Sequence, residues 1–311
     1  MTALRVIFTG SGEFGIPSLR AMLDAGHSIV NVFTQPDRPA GRGRKLTPTP
    51  VAQFAADRGL PLIRTANINQ ESLPHADVMV VIAFGQKIGE PIVDHPRLGS
   101  VNLHASRLPK YRGAAPINAA ILAGESITGN SVIRLAQKMD TGAILGQSSL
   151  QIGEFETAGE LHDRLAADGA PLILSVLQSL ADGNVREIEQ DNSQVTLAKK
   201  LSRESARIDW NLPADQIARQ IRAMYPWPGC RVRLIDPRGA EVDRLTLVRA
   251  RGRACSSCTS GRPSDDTSIC AGAGTEVGII ELQPEGKRPM PLAAYRNGNH
   301  WEYGMRMESL V

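Results

Sequence analysis

No run of the sequence approaches the roughly 18 consecutive apolar residues that a membrane-spanning helix needs. The most apolar stretch, residues 78–84, has the length of a buried strand. The residues from Met1 to Phe8 carry no cleavable leader pattern and enter strand-like sequence at once. A soluble, cytoplasmic protein without a membrane partner is therefore expected. Cysteine is scarce, with four in 311 residues, which argues against a disulfide framework. Cys255 and Cys258 form a C-x-x-C, and Cys270 and Cys230 are the remaining candidates, but a zinc ribbon wants a second close pair. That pair is missing, so no metal is expected, and the Ser/Gly/Asp-rich stretch 255–267 reads as a surface loop bearing reduced thiols. Net charge is small as well, at +3 from 35 basic and 32 acidic side chains. Residues 1–200 hold 19 of each sign, so the whole excess falls in residues 201–311.

Apolar residues make up 42% and charged residues 22%, enough for a sizeable core and against wholesale disorder. The length allows one large domain or two of ordinary size. No internal repeat is visible. Up to about residue 180, short apolar runs alternate with helical patterns. Strands are expected at 4–9, 28–34, 60–63, 77–84, 99–104, 131–136 and 143–150, with helices at 17–25, 114–123 and 160–180. Such alternation means βαβ units and a mostly parallel sheet. From about residue 190 short β runs at 232–235, 244–248 and 276–282 are separated by Pro/Gly turns, with one helix at 214–224. This predicts a second, small β-rich domain built as a barrel. The expected division is an α/β domain at 1–189, a linker at 190–208 and the barrel at 209–311.

Gly10-Ser-Gly12-Glu-Phe-Gly15 is a G-x-G-x-x-G after a strand and before a helix. Dinucleotide binding also requires an acid at the end of the second strand. That strand ends Thr34-Gln35, with Asp37 only after Pro36, so the glycines instead permit a tight turn against another ligand. More informative is Asn102-Leu-His104 at the end of the strand beginning near residue 99. Side chains at i and i+2 share a strand face, and ligands of parallel sheets sit outside the carboxyl ends of strands. A lone strand-end histidine is usually structural. Paired with an amide, and followed by Ser106-Arg-Leu-Pro109 and Arg112-Gly113, it offers two donors for a developing oxyanion. Asp140, in Met139-Asp-Thr-Gly142, could orient His104. No serine sits in a G-x-S-x-G elbow, so the set suits acyl-type transfer without an obligatory covalent intermediate. Arg38, Arg42, Arg44 and Lys45 crowd one segment, which is either a solvated loop or a phosphate-binding patch.

Together, Asn102-x-His104, Ser106-x-Leu-Pro109, Arg112-Gly-Ala-Ala-Pro116 and Met139-Asp-Thr-Gly142 resemble the 10-formyltetrahydrofolate-dependent formyltransferases. The stretches Phe33–Leu46, Lys200–Trp210 and Ile221–Pro228 resemble the branch acting on methionyl initiator tRNA. The resemblance implies a Rossmann-like catalytic domain with helices on both faces of its sheet, and a C-terminal open β-barrel (OB-like) domain for tRNA. It implies transfer of formyl from 10-formyltetrahydrofolate, as co-substrate, to the methionyl α-amino group, with Asn102, His104 and Asp140 as the catalytic trio. It implies folate contacts at Ser106, Arg107, Leu108 and Pro109, and at Phe84, Gly85, Gln86, Lys87 and Ile88. It implies tRNA contacts through Arg38, Arg42, Arg44 and Lys45, with Arg42 ranked first. Two departures stand out: Arg107 replaces the usual Leu, and the first turn reads Gly10-Ser-Gly-Glu-Phe14 where the family usually has Gly-Thr-Pro-x-Phe. With no association motif, a monomer is expected. A nucleotide-sugar formyltransferase would share the trio without needing the basic segment, and a non-catalytic RNA-binding protein would need no trio.

Overall fold

The computed structural model describes residues 2–40, 43, 45–255, 259–262, 268–299, 301 and 304–310. Contacts divide the chain into two compact units. One comprises Met1–Pro116, Ile127–Gln151 and His162–Leu197, the other Ile117–Ser126, Ile152–Leu161 and Ala198–Val311.

The first unit is built on a seven-stranded sheet. Its strands are β1 (Arg5–Gly10), β2 (Ser28–Thr34), β3 (Leu62–Arg64), β4 (Val78–Ile82), β5 (Ser100–His104), β6 (Ser131–Arg134) and β7 (Ile144–Gln147). They lie in the order β7-β6-β5-β4-β1-β2-β3. The five from β3 to β5 are parallel, and β6 and β7 close one edge antiparallel. β4 is Val-Met-Val-Val-Ile with every residue buried, as a β-branched central strand covered on both faces must be. The helices, in chain order through both units, are α1 (Ile16–Asp24), α2 (Pro50–Asp57), α3 (Glu90–Val93), α4 (Pro116–Ala123), α5 (Ala158–Ala181), α6 (Ala214–Met224) and α7 (Leu292–Arg296). In α5, Leu165, Ile173, Val176, Leu177 and Leu180 are buried at the 3.6-residue repeat of one helix face. After β1 the chain builds β2 and β3 outward on one side. It then returns to build β4 and β5 on the other, so the switch point lies between β1 and β4, where ligands of such sheets collect. Gly10 belongs to this packing: a Cβ there would lie 2.6 Å from the Ile82 backbone oxygen. Phe14 is buried and meets the His162 ring edge-on at 5.2 Å, so the altered first turn keeps its apolar anchor.

The second unit carries a six-stranded antiparallel sheet. It contains β8 (Cys230–Ile235), β9 (Glu241–Ala254), β10 (Ser268–Ala271), β11 (Thr275–Pro284) and β12 (Arg306–Ser309), ordered β10-β11-β9-β8-β12, with Met290–Pro291 paired to β11. Register shifts near Leu234, Leu247 and Arg249 are bulges, and bulges curl a sheet. The curled face buries Leu247, Val277 and Leu282 against Ile217, Ile221 and Met224 of α6. Both architectures are those the sequence predicts. Two mid-chain segments pack here. Asn118 Nδ2 donates to the Ala223 carbonyl at 2.6 Å, and the Phe155 carbonyl accepts from Arg249 Nη1 at 2.8 Å. Thr157 and Glu160 form a reciprocal capping box at the start of α5.

Among the described residues no helix is long and apolar enough to cross a membrane, and no group of three or more His, Cys, Asp or Glu side chains could hold a metal ion. Burial pushes the Cys230 thiol up to about 12, so it stays protonated and unreactive. Cys258 lies outside the described residues.

Candidate active site

β5 delivers Asn102 and His104 to one face at the carboxyl end of the sheet. In the antiparallel register with β6, His104 lies opposite Ser131 and Asn102 opposite Ile133. His104 is buried. Its Nε2 lies 2.9 Å from the Tyr111 backbone oxygen. A carbonyl only accepts, so this nitrogen carries the proton. Nδ1 then faces Asp140, whose Oδ2 lies 3.6 Å away. The same Oδ2 accepts from the Gly113 backbone N–H at 2.8 Å. Asn102 is half-buried, and its amide has no hydrogen-bond partner among the described residues, which leaves its donors available to a ligand.

The backbone around this set is held in sparsely populated conformations. Tyr111 has φ 64° and Asp140 φ 55°, both in the left-handed region that non-glycine residues rarely adopt. Such conformations persist only where the surroundings determine them. One determinant is close packing: a Cβ on Gly142 would lie 1.9 Å from the Arg134 backbone oxygen, so the Asp140 loop is pressed against β6.

The Ser106–Pro109 segment is fixed from beneath by Ser131. Its hydroxyl donates to the Ser106 carbonyl at 2.6 Å and accepts from the Leu108 N–H at 3.0 Å. Gln147 donates to the Leu108 carbonyl at 2.8 Å. Ser106 and Leu108 are buried, Pro109 is half-buried and Arg107 is exposed. In the loop after β4, Ala83 and Gly85 take positive φ. Phe84 turns into an apolar cluster with Val81, Ile88 and Leu135. Gln86 is occupied with the Ile68 N–H and the Thr65 carbonyl, and Lys87 is exposed. What this loop offers a ligand is therefore backbone rather than side chain. Gln35 donates to the Phe84 carbonyl at 2.7 Å, and its own carbonyl accepts from Arg38.

The basic segment, read as a loop, contains a short antiparallel ribbon of Arg38–Ala40 and Lys45–Thr47. Pro39 is tolerated because both strands of a two-stranded ribbon are edge strands. Arg38 and Lys45 are exposed, and Leu46, opposite Pro39 in the ribbon, is 72% exposed. Arg42 and Arg44 lie outside the described residues.

Sequence reasoning overlooked Gln35, Ser131, Gln147, Gln190 and the Tyr111 carbonyl. Each acts by a hydrogen bond to backbone or to another side chain of the site, and such a role leaves no spacing pattern in a single sequence.

Two family models match the chain in order: Formyl transferase over residues 4–177, and Formyl transferase, C-terminal domain, over residues 200–300. The chain belongs to the formyl transferase family. It is 40% identical over 302 residues to a methionyl-tRNA formyltransferase of Methylococcus capsulatus, a match covering 95% of this chain and 97% of that one. Among solved structures it is similar to an N-formyltransferase from Helicobacter canadensis in complex with folinic acid and dTDP-3-aminofucose. The TM-score is 0.68 and the identity 17%, over 90% of this chain and 99% of the other. It is also similar to WlaRD, a sugar 3N-formyl transferase solved with dTDP and 5-N-formyl-THF, with a TM-score of 0.66 and 18% identity over 93% and 100% of the two chains. These likenesses concern the fold. Formyl transfer is the chemistry this enzyme carries out.

Proposed function

We propose that the chain transfers the formyl group of 10-formyltetrahydrofolate to the α-amino group of methionyl initiator tRNA, giving N-formylmethionyl-tRNA for translation initiation. The observation that carries the chemistry is His104, held between the Tyr111 carbonyl and the Asp140 carboxylate on the strand that also presents Asn102. The choice of acceptor rests on the methionyl-tRNA relative and on the exposed cations of the ribbon.

The residues present fit a folate. A flat heteroaromatic ring with a hydrogen-bonding edge needs an apolar wall and fixed polar groups. The loop of residues 83–89 supplies backbone groups over the Phe84 cluster, and the braced Ser106–Pro109 segment supplies the second wall. When bound, the folate brings a formyl carbon already activated on nitrogen.

The chain's own groups do the rest. The Asn102 amide donates to the formyl oxygen, and the positive charge of a protonated His104 stabilises the negative charge that develops there. As the methionyl nitrogen bonds to the formyl carbon and the bond from that carbon to the folate nitrogen breaks, one proton must leave the amine and one must reach the departing nitrogen. Asp140 supports a charged imidazole and accepts from the amine through water, and His104 delivers to the leaving nitrogen. Arg38, Arg42, Arg44 and Lys45 grip phosphates of the acceptor end, where guanidinium groups bind bidentately. On this reading the enzyme acts as a cytoplasmic monomer without a membrane partner, Arg107 points away from the folate, the catalytic domain runs past residue 189 to include Gln190, and the barrel binds tRNA.

The test is a formyl-transfer assay with 10-formyltetrahydrofolate as donor and three acceptor sets: methionyl initiator tRNA, the same tRNA uncharged, and amino-sugar nucleotides. Transfer to the charged tRNA alone is expected. Transfer to a sugar and not to the tRNA would overturn the acceptor.

A further inference from the structure

Gln190 is buried, with 7% of its surface exposed. It arrives at the site along the sheet edge. Ile188 and Ile144 exchange backbone hydrogen bonds at 2.8 and 2.9 Å as an antiparallel bridge. In that register Gln190 comes opposite Gly142, two residues before Ile144. Its Nε2 donates to the carbonyls of Asp140 and Gly142, each at 2.8 Å. Its Oε1 accepts from Arg112 Nε at 3.0 Å and from Arg112 Nη2 at 2.7 Å. A primary amide has two donor hydrogens and two acceptor lone pairs, and all four are used.

The two groups so joined are the two loops that define the surroundings of the Asp140 carboxylate. One carries Asp140 itself. The other, Tyr111-Arg112-Gly113, supplies the N–H bound to Asp140 Oδ2 and the carbonyl bound to His104 Nε2. Both loops contain a non-glycine residue in the left-handed region, so neither holds its place by local preference. Thr196 adds a second tie from the same segment, accepting the Tyr111 N–H at 2.9 Å through its hydroxyl and the Arg112 N–H at 2.9 Å through its carbonyl.

We propose that Gln190 is a positioning residue for formyl transfer, setting the place of the Asp140 carboxylate against His104 by clamping these two loops together. The requirement for an amide follows from the partners. A glutamate would pair more strongly with Arg112, but it has no hydrogens for the Asp140 and Gly142 carbonyls and would face both with negative charge. The proposal rests on the formyl-transfer reading, so its test has one arm that needs no substrate.

Gln190→Glu and Arg112→Met are compared with wild type in three measurements: melting temperature, kcat and KM for each substrate, and the ring-nitrogen resonances of His104 in the substrate-free enzyme. Gln190→Glu is expected to lower kcat about 10- to 100-fold, the scale of a misplacement near 1 Å, with each KM within about twofold of wild type. It is also expected to move the His104 ring resonances. Arg112→Met, which opens the clamp from its other side, is expected to show the same split. The double variant is expected to be no worse than the poorer single one, because the two residues act as one unit. Unchanged kcat together with unchanged His104 resonances in a folded Gln190→Glu protein would overturn the proposal, as would a rise in KM with kcat intact. If Gln190→Glu fails to fold, Arg112→Met decides by the same readings. If wild type transferred no formyl to methionyl-tRNA, the acceptor reading would fall while the resonances still tested the clamp.

Discussion

The backbone oxygen of Tyr111 holds Nε2 of His104 at 2.9 Å, so the other ring nitrogen, Nδ1, is the one facing Asp140. A backbone acceptor cannot be removed by changing a side chain, which makes the ring's orientation a property of the loop. His104→Ala is expected to lower kcat by about 10²- to 10⁴-fold, the range of a lost general acid or base. Affinity for tRNA, which the proposal assigns to the basic ribbon, is expected to stay within about threefold. Single-turnover formylation alongside filter binding separates the two, and a fully active variant would overturn the mechanism.

Asn102 offers an amide with no protein partner among the described residues. Asn102→Ala is expected to cost about 10²- to 10³-fold in kcat, as loss of one oxyanion donor does. Steady-state kinetics with saturating donor checks it. An effect confined to KM would instead make Asn102 a binding residue.

Replacing Arg42 with Ala is expected to weaken tRNA binding and to lower the salt slope by about one unit for each phosphate no longer gripped. Affinities measured across a range of salt concentrations give the slope directly. An unchanged slope would remove the segment from the tRNA interface.

The overlooked residues mark a boundary in what sequence reasoning reaches. Strands such as β4 were legible because burial on both faces demands a run of β-branched residues, and Asn102 with His104 was legible because a strand's period of two puts both on one face. Gln190 was not. It falls where the β pattern changes and reads as the first residue of a linker, yet its side chain is buried at the site. What brings it there is a single bridge to the sheet edge, and one pairing leaves no periodicity. The ribbon at Arg38–Ala40 was hidden for a related reason, since three-residue strands among prolines and glycines look like a loop.

Ser131→Ala is expected to strand the Ser106 carbonyl and the Leu108 N–H, which share its hydroxyl. The cost to stability is about 1–3 kcal/mol by urea denaturation, since a buried group is left without its partner. The KM for the formyl donor is expected to rise with kcat little changed, because the hydroxyl braces the segment proposed to wall the folate and makes no bond to the His104 ring. A normal KM would exclude that wall.

Glu160 gives the fold a dependence on acid. Hydrogen bonds from Arg249 hold its carboxyl well below the usual carboxylate range, at about 2 against an ordinary 4.5. A carboxyl stabilised as the anion contributes fully above its unfolded value and loses that contribution as pH falls from 4.5 toward 2. Because the side chain is 48% exposed, solvent screening reduces the effect to about 1 kcal/mol. Glu160→Gln is expected to be less stable than wild type near neutral pH, and equally stable once wild-type Glu160 is protonated. Urea midpoints across the acid range check this, and a gap that persists in acid would refute it.

Asn118 and Phe155 find their partners 105 and 94 residues further along the chain, at Ala223 and Arg249. For a protein made from one end, this interleaving sets an order of events. While residues 1–200 are leaving the ribosome, segments 117–126 and 152–161 have nothing to pack against, and Ile121 and Leu161, both buried in the finished molecule, stay wet. Only when α6 and β9 have been synthesised can those segments settle.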